Sequence, residues 1–135
     1  MKVFVDTNVW LSGRFRPGLC AELLEALLEA GAEILLDERV LAEFKHVASE
    51  KLGVEDVPLA RAELFYRHFT RMQPAATEPA AGIPDPDDAW IIAAALAAQV
   101  DWFVTGDKAL LDLGQIEGLP IVSPRLAYQR LRGLA

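Results

Sequence analysis

Lys2-Val3-Phe4-Val5-Asp6-Thr7-Asn8 is the stretch on which the reading of this chain turns. Val3, Phe4 and Val5 form a short apolar run of β-branched and aromatic residues, as in a buried strand. The run stops abruptly at a carboxylate and two hydrogen-bonding side chains. In open α/β sheets, ligands collect beyond the carboxyl ends of the strands, so Asp6 stands where chemistry is usual. Asp6 or Asn8 also suits a helix cap or a turn. The stretch alone leaves both readings open.

A second stretch repeats the pattern. Trp102-Phe103-Val104 reads as a strand and ends in Thr105-Gly106-Asp107, followed by a short helical run, Lys108 to Leu113. The elements between the two alternate. Ser12 to Gly18 reads as a loop, punctuated by Gly13, Pro17 and Gly18. Leu19 to Ala30 is a helix with Leu23, Leu24, Leu27 and Leu28 in one stripe, stopped by Gly31. Ile34 to Leu36 is a buried strand, so the opening is a parallel strand–helix–strand crossover. Asp37 begins a helix that runs to about Leu52 with Val40, Leu41, Phe44, Val47 and Ala48 inside. Val57 to Met72 reads as a further helix, and His46 and His68 read as solvated. Gln73 to Pro86 is a proline-rich connection. Ala89 to Gln99 is apolar nearly all round and so is expected to be buried. Ile121-Val122 is the last strand, and Ser123-Pro124 opens a closing helix. The expected fold is α/β, with three layers, α/β/α, around a central parallel sheet, in a single domain over residues 1–135.

Composition excludes several classes. With 53% hydrophobic and 24% charged residues, the chain is globular rather than disordered. Cys20 is the only cysteine, so neither an intrachain disulfide nor a cysteine-rich zinc site is possible. No run approaches the roughly 18–20 apolar residues of a membrane span, and the opening lacks the layout of a signal peptide. A cytoplasmic protein is expected. The net charge of −7 argues against grip on nucleic acid through bulk electrostatics. The charge is uneven: residues 72–120 hold eight acids and one base, Lys108.

The acids have positions that give them a common purpose. Asp6 and Asp107 end strands. Asp85, Asp87 and Asp88 head the apolar helix, where one acid suffices for capping and three repel one another. Glu43 lies at the margin of its helix stripe. There it either pairs with Arg39 one turn back or leans over the sheet toward Asp6. Clustered carboxylates without cationic partners are costly unless a metal neutralises them. Oxygen ligands without Cys or His suit Mg²⁺ or Mn²⁺. Such ions activate water and stabilise displacement at a phosphodiester. Thr7, Asn8, Thr105 and Ser123 are hydrogen-bonding groups placed to orient carboxylates, water or phosphate. Arg14, Arg16 and Lys108 are the candidate contacts for the phosphodiester backbone.

The chain resembles the PIN-domain ribonucleases. The resemblance lies in V-D-T-N-V at Val5 to Val9, in Glu43 of V-L-A-E-F, in D-P-D-D-A-W-I-I-A-A-A at Asp85 to Ala95, and in V-T-G-D-K-A-L-L at Val104 to Leu111. I-V-S-P-R at Ile121 to Arg125 also looks like the family's ending. The resemblance covers essentially the whole chain, and it is similar to the VapC-like toxin branch of prokaryotic toxin–antitoxin systems. It implies a parallel sheet flanked by helices, an acidic pocket for Mg²⁺ or Mn²⁺, a cognate antitoxin protein and homodimerisation, for which surfaces around Trp10 or the closing helix are candidates. By motif, Asp6, Glu43, Asp88 and Asp107 correspond to the family's acidic residues, with Asp6, Asp88 and Asp107 as metal ligands. Asp85 and Asp87 lie close enough to Asp88 to share its role. Ala109 stands where many relatives have another aspartate. The function implied is a metal-dependent endoribonuclease. Two other readings are a catalytically silent PIN-fold module that binds a partner, and a phosphomonoesterase using Asp6 as nucleophile.

Overall fold

The computed structural model describes residues 1–133. Six strands form one sheet: β1 (Lys2–Val5), β2 (Glu33–Asp37), β3 (Arg71–Gln73), β4 (Trp102–Val104), β5 (Gln115–Ile116) and β6 (Leu119–Val122), in the order β3-β2-β1-β4-β6-β5. All pairs are parallel except β5 with β6. Helices cover both sides of the sheet. They are α1 (Thr7–Phe15), α2 (Leu19–Glu29), α3 (Glu38–Glu50), α4 (Asp56–Phe69), α5 (Pro86–Ala98), α6 (Lys108–Leu113) and α7 (Pro124–Leu131).

The chain builds outward from β1 to β2 and β3, then crosses back to place β4 on the other side of β1. The order therefore reverses between β1 and β4, and such switch points are where open α/β sheets form their crevices. Val3, Phe4 and Val5 are fully buried, and Phe4 stacks on Phe103 of β4 with ring centroids 5.7 Å apart. Each such side chain contributes about 1.5–3 kcal/mol by leaving water. This packing holds the two strands level at their carboxyl ends.

An aromatic cluster fixes α1 to the sheet. The Trp10 indole N–H donates to the Val5 carbonyl at 2.9 Å, and the Tyr66 hydroxyl donates to the Trp10 carbonyl at 3.1 Å. Tyr66 packs on both Trp10 and Phe44, with centroids 4.4 and 5.0 Å apart. Trp10 is thus buried, and it is not itself an exposed surface for dimerisation. By tying the first turns of α1 to the last residue of β1, the cluster sets where Asp6 and Thr7 sit.

The structure differs from the sequence expectation at several boundaries; α5, for one, begins at Pro86 and not at Ala89. Ser12 to Phe15 is the end of α1, not a loop. Gly13 is there for close packing: a Cβ on it would lie 2.4 Å from Leu24 Cδ1 of α2. The helix expected to reach Met72 ends at Phe69, and residues 71–73 pair as an edge strand with β2. The expected Ile121-Val122 strand begins at Leu119 and pairs antiparallel with Gln115–Ile116, a short strand that the sequence reading passed over.

Candidate active site

The two strand-end stretches meet at the switch point. The Asp6 N–H donates to the Val104 carbonyl at 2.9 Å, and the Thr105 N–H donates to the Val122 carbonyl at 3.0 Å. Asp6, Thr7 and Thr105 are all buried. Asp6 Oδ1 accepts from the Thr7 N–H at 2.8 Å, and Asp6 Oδ2 accepts from the Thr105 hydroxyl at 2.7 Å. Each oxygen thus has one partner, which sets the plane of the carboxylate and leaves a lone pair on each.

The two threonines link the acids to one another. Thr105 Oγ1 also accepts from the Asp107 N–H at 3.0 Å, so one hydroxyl joins Asp6 to the Asp107 turn. Asp107 caps α6, with Oδ1 accepting from the Ala109 N–H at 2.8 Å. Thr7 Oγ1 donates to Glu43 Oε2 at 3.1 Å. Glu43 therefore leans toward Asp6. Arg39, its alternative partner, lies instead over the Trp90 ring, 4.4 Å from the centroid.

Asp85 caps α5, accepting from the Asp87 N–H at 2.8 Å, and Pro86 occupies the first turn, where no N–H is needed. Asp88 follows half-buried on the same turn. Its carboxyl is pushed up to about 7, first by burial and then by the charges of Asp6, Asp85, Asp107 and Glu43. Burial raises the Asp6 carboxyl as well; the Thr105 and Thr7 hydrogen bonds oppose this, and Asp107 adds to it. Glu43 is raised by burial, opposed by its Thr7 bond and pushed further by Asp6, Asp87 and Asp85. These mutual effects bring Asp6, Glu43, Asp88 and Asp107 into one electrostatic neighbourhood. Among the described residues, no lysine or arginine offsets these three shifts.

The other candidates are placed differently. Ser123 caps α7, accepting from the Leu126 N–H at 3.1 Å, just beyond the carboxyl end of β6. Asn8 is exposed and lines a shallow depression with Arg16. Lys108 is exposed beside Asp107. Arg14 lies over Phe65 in an apolar groove between α1, α2 and α4 that none of the four acids lines. Sequence reasoning passed over Asp37 as more than a helix start. It is fully buried at the end of β2; Oδ1 caps α3 by accepting from the Val40 N–H at 2.9 Å, while Oδ2 has no partner among the described residues.

The donors fit a hard divalent cation in chemistry: carboxylate and hydroxyl oxygens with uncompensated negative charge. Among the described residues, no three acidic, histidine or cysteine side chains already converge as a finished metal cage. The fit rests on donor type and charge.

The charge crowding has a measurable consequence. The folded Asp88 value of about 7 lies above its ordinary 3.8. Between these values the folded chain holds a proton that the unfolded chain has released, so stability falls as pH rises. The penalty is absent below the lower value and complete above the upper one; Asp6 and Glu43 act in the same direction. In EDTA, Tm is expected to fall between about pH 5 and about pH 7.5. A Tm that rises over that range contradicts the crowding.

The sequence model of the PIN domain matches residues 2–109, a span that includes all four acids. The chain belongs to the PIN-domain family. Solved structures share the fold of this PIN domain. One is VapBC2 from Rickettsia felis, bound to a DNA fragment from their promoter: 17% identity, TM-score 0.67, covering 91% of this chain and 98% of that one. Another is VapC20 from Mycobacterium tuberculosis, a toxin that cleaves the sarcin–ricin loop: 13% identity, TM-score 0.63, covering 85% and 97%. A third is the PIN-domain endonuclease Utp24: 24% identity, TM-score 0.54, covering 90% and 84%. At these identities the likeness is one of fold, and it makes this PIN domain structurally similar to VapC toxins. No curated protein matches the chain.

Proposed function

We propose that this PIN domain is a metal-dependent endoribonuclease and the toxin half of a toxin–antitoxin pair, with residues 1–135 as one functional unit. The observation that carries the reading is the crowding of Asp6, Glu43 and Asp107 around Asp88 without a compensating cation. Such a cluster costs folding free energy, and a bound Mg²⁺ or Mn²⁺ offsets the cost.

In this reading Asp6, Asp88 and Asp107 hold the cation, which when bound supplies a Lewis acid and an activated water at neutral pH. The protein's own part is positioning. The Thr105 hydroxyl and the Thr7 N–H fix the Asp6 carboxylate. The Thr7 hydroxyl holds Glu43 at the rim of the site, where a proton of an incoming hydroxyl or water finds an acceptor. Crowding favours the uptake of positive charge at the spot that the phosphodiester must approach.

The partner reading is supported by the kinship in fold with VapBC2, a toxin–antitoxin complex. The groove holding Arg14 is lined by Leu24, Leu28, Phe65 and Phe69, and it offers a partner apolar area to which none of the four acids contributes. No described helix is long and apolar enough to cross a membrane, and a cytoplasmic homodimer is the expected free form.

The test is cleavage of total RNA by the purified chain with Mn²⁺, Mg²⁺ or EDTA. Cleavage in either metal that EDTA stops is the expected result. Cleavage that persists in EDTA, or none in any condition with RNA from several sources, overturns the nuclease reading.

A further inference from the structure

A depression of about 470 Å³ opens beside the acids, between α3 and α5. Arg39, His46 and Lys51 line it, together with Glu43 and Asp87. Arg39 and His46, two turns apart, share one face of α3, and Lys51 is the residue that caps the helix's C-terminal end, roughly 18 Å along the axis from Arg39. A second depression adjoins this one at Val47 and carries Arg16 and Asn8. Arg39, His46, Lys51 and Arg16 are all exposed.

Two features separate this strip from ordinary solvated charge. Lys45, on another face of the same helix, pairs with Glu63 at 2.9 Å, but among the described residues neither Arg39 nor Lys51 forms an ion pair. They stay unpaired although Glu43 and Asp87 line the same depression, in a chain whose acids outnumber its bases by 20 to 13. In addition, Arg39 lies over the face of Trp90, which is half-buried on α5 two residues beyond Asp88. A guanidinium on an indole makes a flat, charged platform of the kind on which single-stranded bases stack and phosphates pair.

We infer that the strip of Arg39, His46 and Lys51 lining this depression, extended by Arg16, is the track that binds the backbone of single-stranded RNA and leads it to the acids, with the Arg39–Trp90 platform at the entry to the site. This rests on the nuclease reading above. It replaces Arg14, which lies over Phe65, as a contact for the RNA, and it keeps Arg16. The track explains how an acidic protein grips a polyanion: cations are confined to one path, and the acids wait at its end.

The test is fluorescence anisotropy of a fluorescein-labelled single-stranded RNA with the full chain in EDTA, over a range of salt. Removing a phosphate contact lowers the slope of log affinity against log salt by about 0.7 for single strands. Arg16→Ala/Arg39→Ala/Lys51→Ala is therefore expected to lower the slope by about 2 and to weaken binding at least tenfold at low salt. Arg39→Lys/Lys51→Arg, which keeps the charges, is expected to keep the slope. Arg125→Ala/Arg130→Ala on α7 is expected to leave it unchanged. Binding by the native chain with an unchanged slope in the triple variant overturns the track and leaves the nuclease standing, as does an equal loss in the α7 variant. A native chain that binds no RNA in EDTA overturns the track, and the nuclease reading is then decided by the metal-dependent cleavage above.

Discussion

Asp88→Asn is expected to lower RNA cleavage by more than about a hundredfold while making the metal-free protein more stable. Asn keeps the size and planarity of the side chain and removes its charge. The Asp88 carboxyl is strongly opposed by its surroundings, from burial and from four neighbouring carboxylates. Neutralising it relieves that opposition, so Tm at about pH 7.5 rises and its decline with pH flattens. The same change removes a proposed cation ligand. Loss of a residue that only orients a ligand costs 10–100-fold, and loss of a ligand costs more. A gain in stability paired with a loss of activity marks a site that the fold holds under strain for a function. A variant that keeps activity within tenfold removes Asp88 from the reaction. A variant that is both inactive and less stable assigns it a structural role.

Thr105→Val is the second large effect, and its signature is different. The Thr105 hydroxyl donates to Asp6 Oδ2 and accepts from the Asp107 N–H, inside a fully buried side chain. Val matches its shape but lacks the hydroxyl, so a buried carboxylate oxygen and a backbone N–H both lose their partner. The expected cost is about 1–3 kcal/mol of stability. Because the hydroxyl also sets the Asp6 plane, Mn²⁺ affinity and cleavage are expected to fall about 10–100-fold. Thr105→Ser restores the hydroxyl and is expected to recover most of both. Stability lost with metal affinity intact would reduce Thr105 to a packing residue.

The features that were legible in the sequence are those carried by short, local signals. A β-branched run that stops at Asp-Thr-Asn reads as a strand end without knowledge of any neighbour, and so does the run ending in Thr-Gly-Asp. The sequence did not reveal that β4 lies beside β1, which is what brings Asp6 and Asp107 together. That adjacency is a long-range pairing with no local mark. Gly13 misled because glycine signals both a break and a close approach, and here it lets α2 pack against α1. Arg71 and Met72 continued a helical spacing set by Phe65 and Phe69, and only pairing with β2 makes residues 71–73 a strand. Arg39 is the clearest case at the site. Spacing offered it to Glu43, one turn along the same helix, but the Trp90 face on α5 takes it, and no single-helix argument sees α5. The hydroxyl contacts of Thr7 and Thr105 could be foreseen as hydrogen bonds near the acids, but their partners emerge only once the strand ends are level.

The most direct test of the account is calorimetric titration of Mn²⁺ into the native chain and into Asp6→Asn/Asp88→Asn at about pH 7.5, where the acids are most crowded. The account predicts saturable binding by the native chain, with protons released as the raised carboxyls ionise, and its loss in the double variant. No saturable binding by the native chain, or equal binding by the variant, would contradict a metal-holding acidic site and favour a PIN domain that acts through a partner alone.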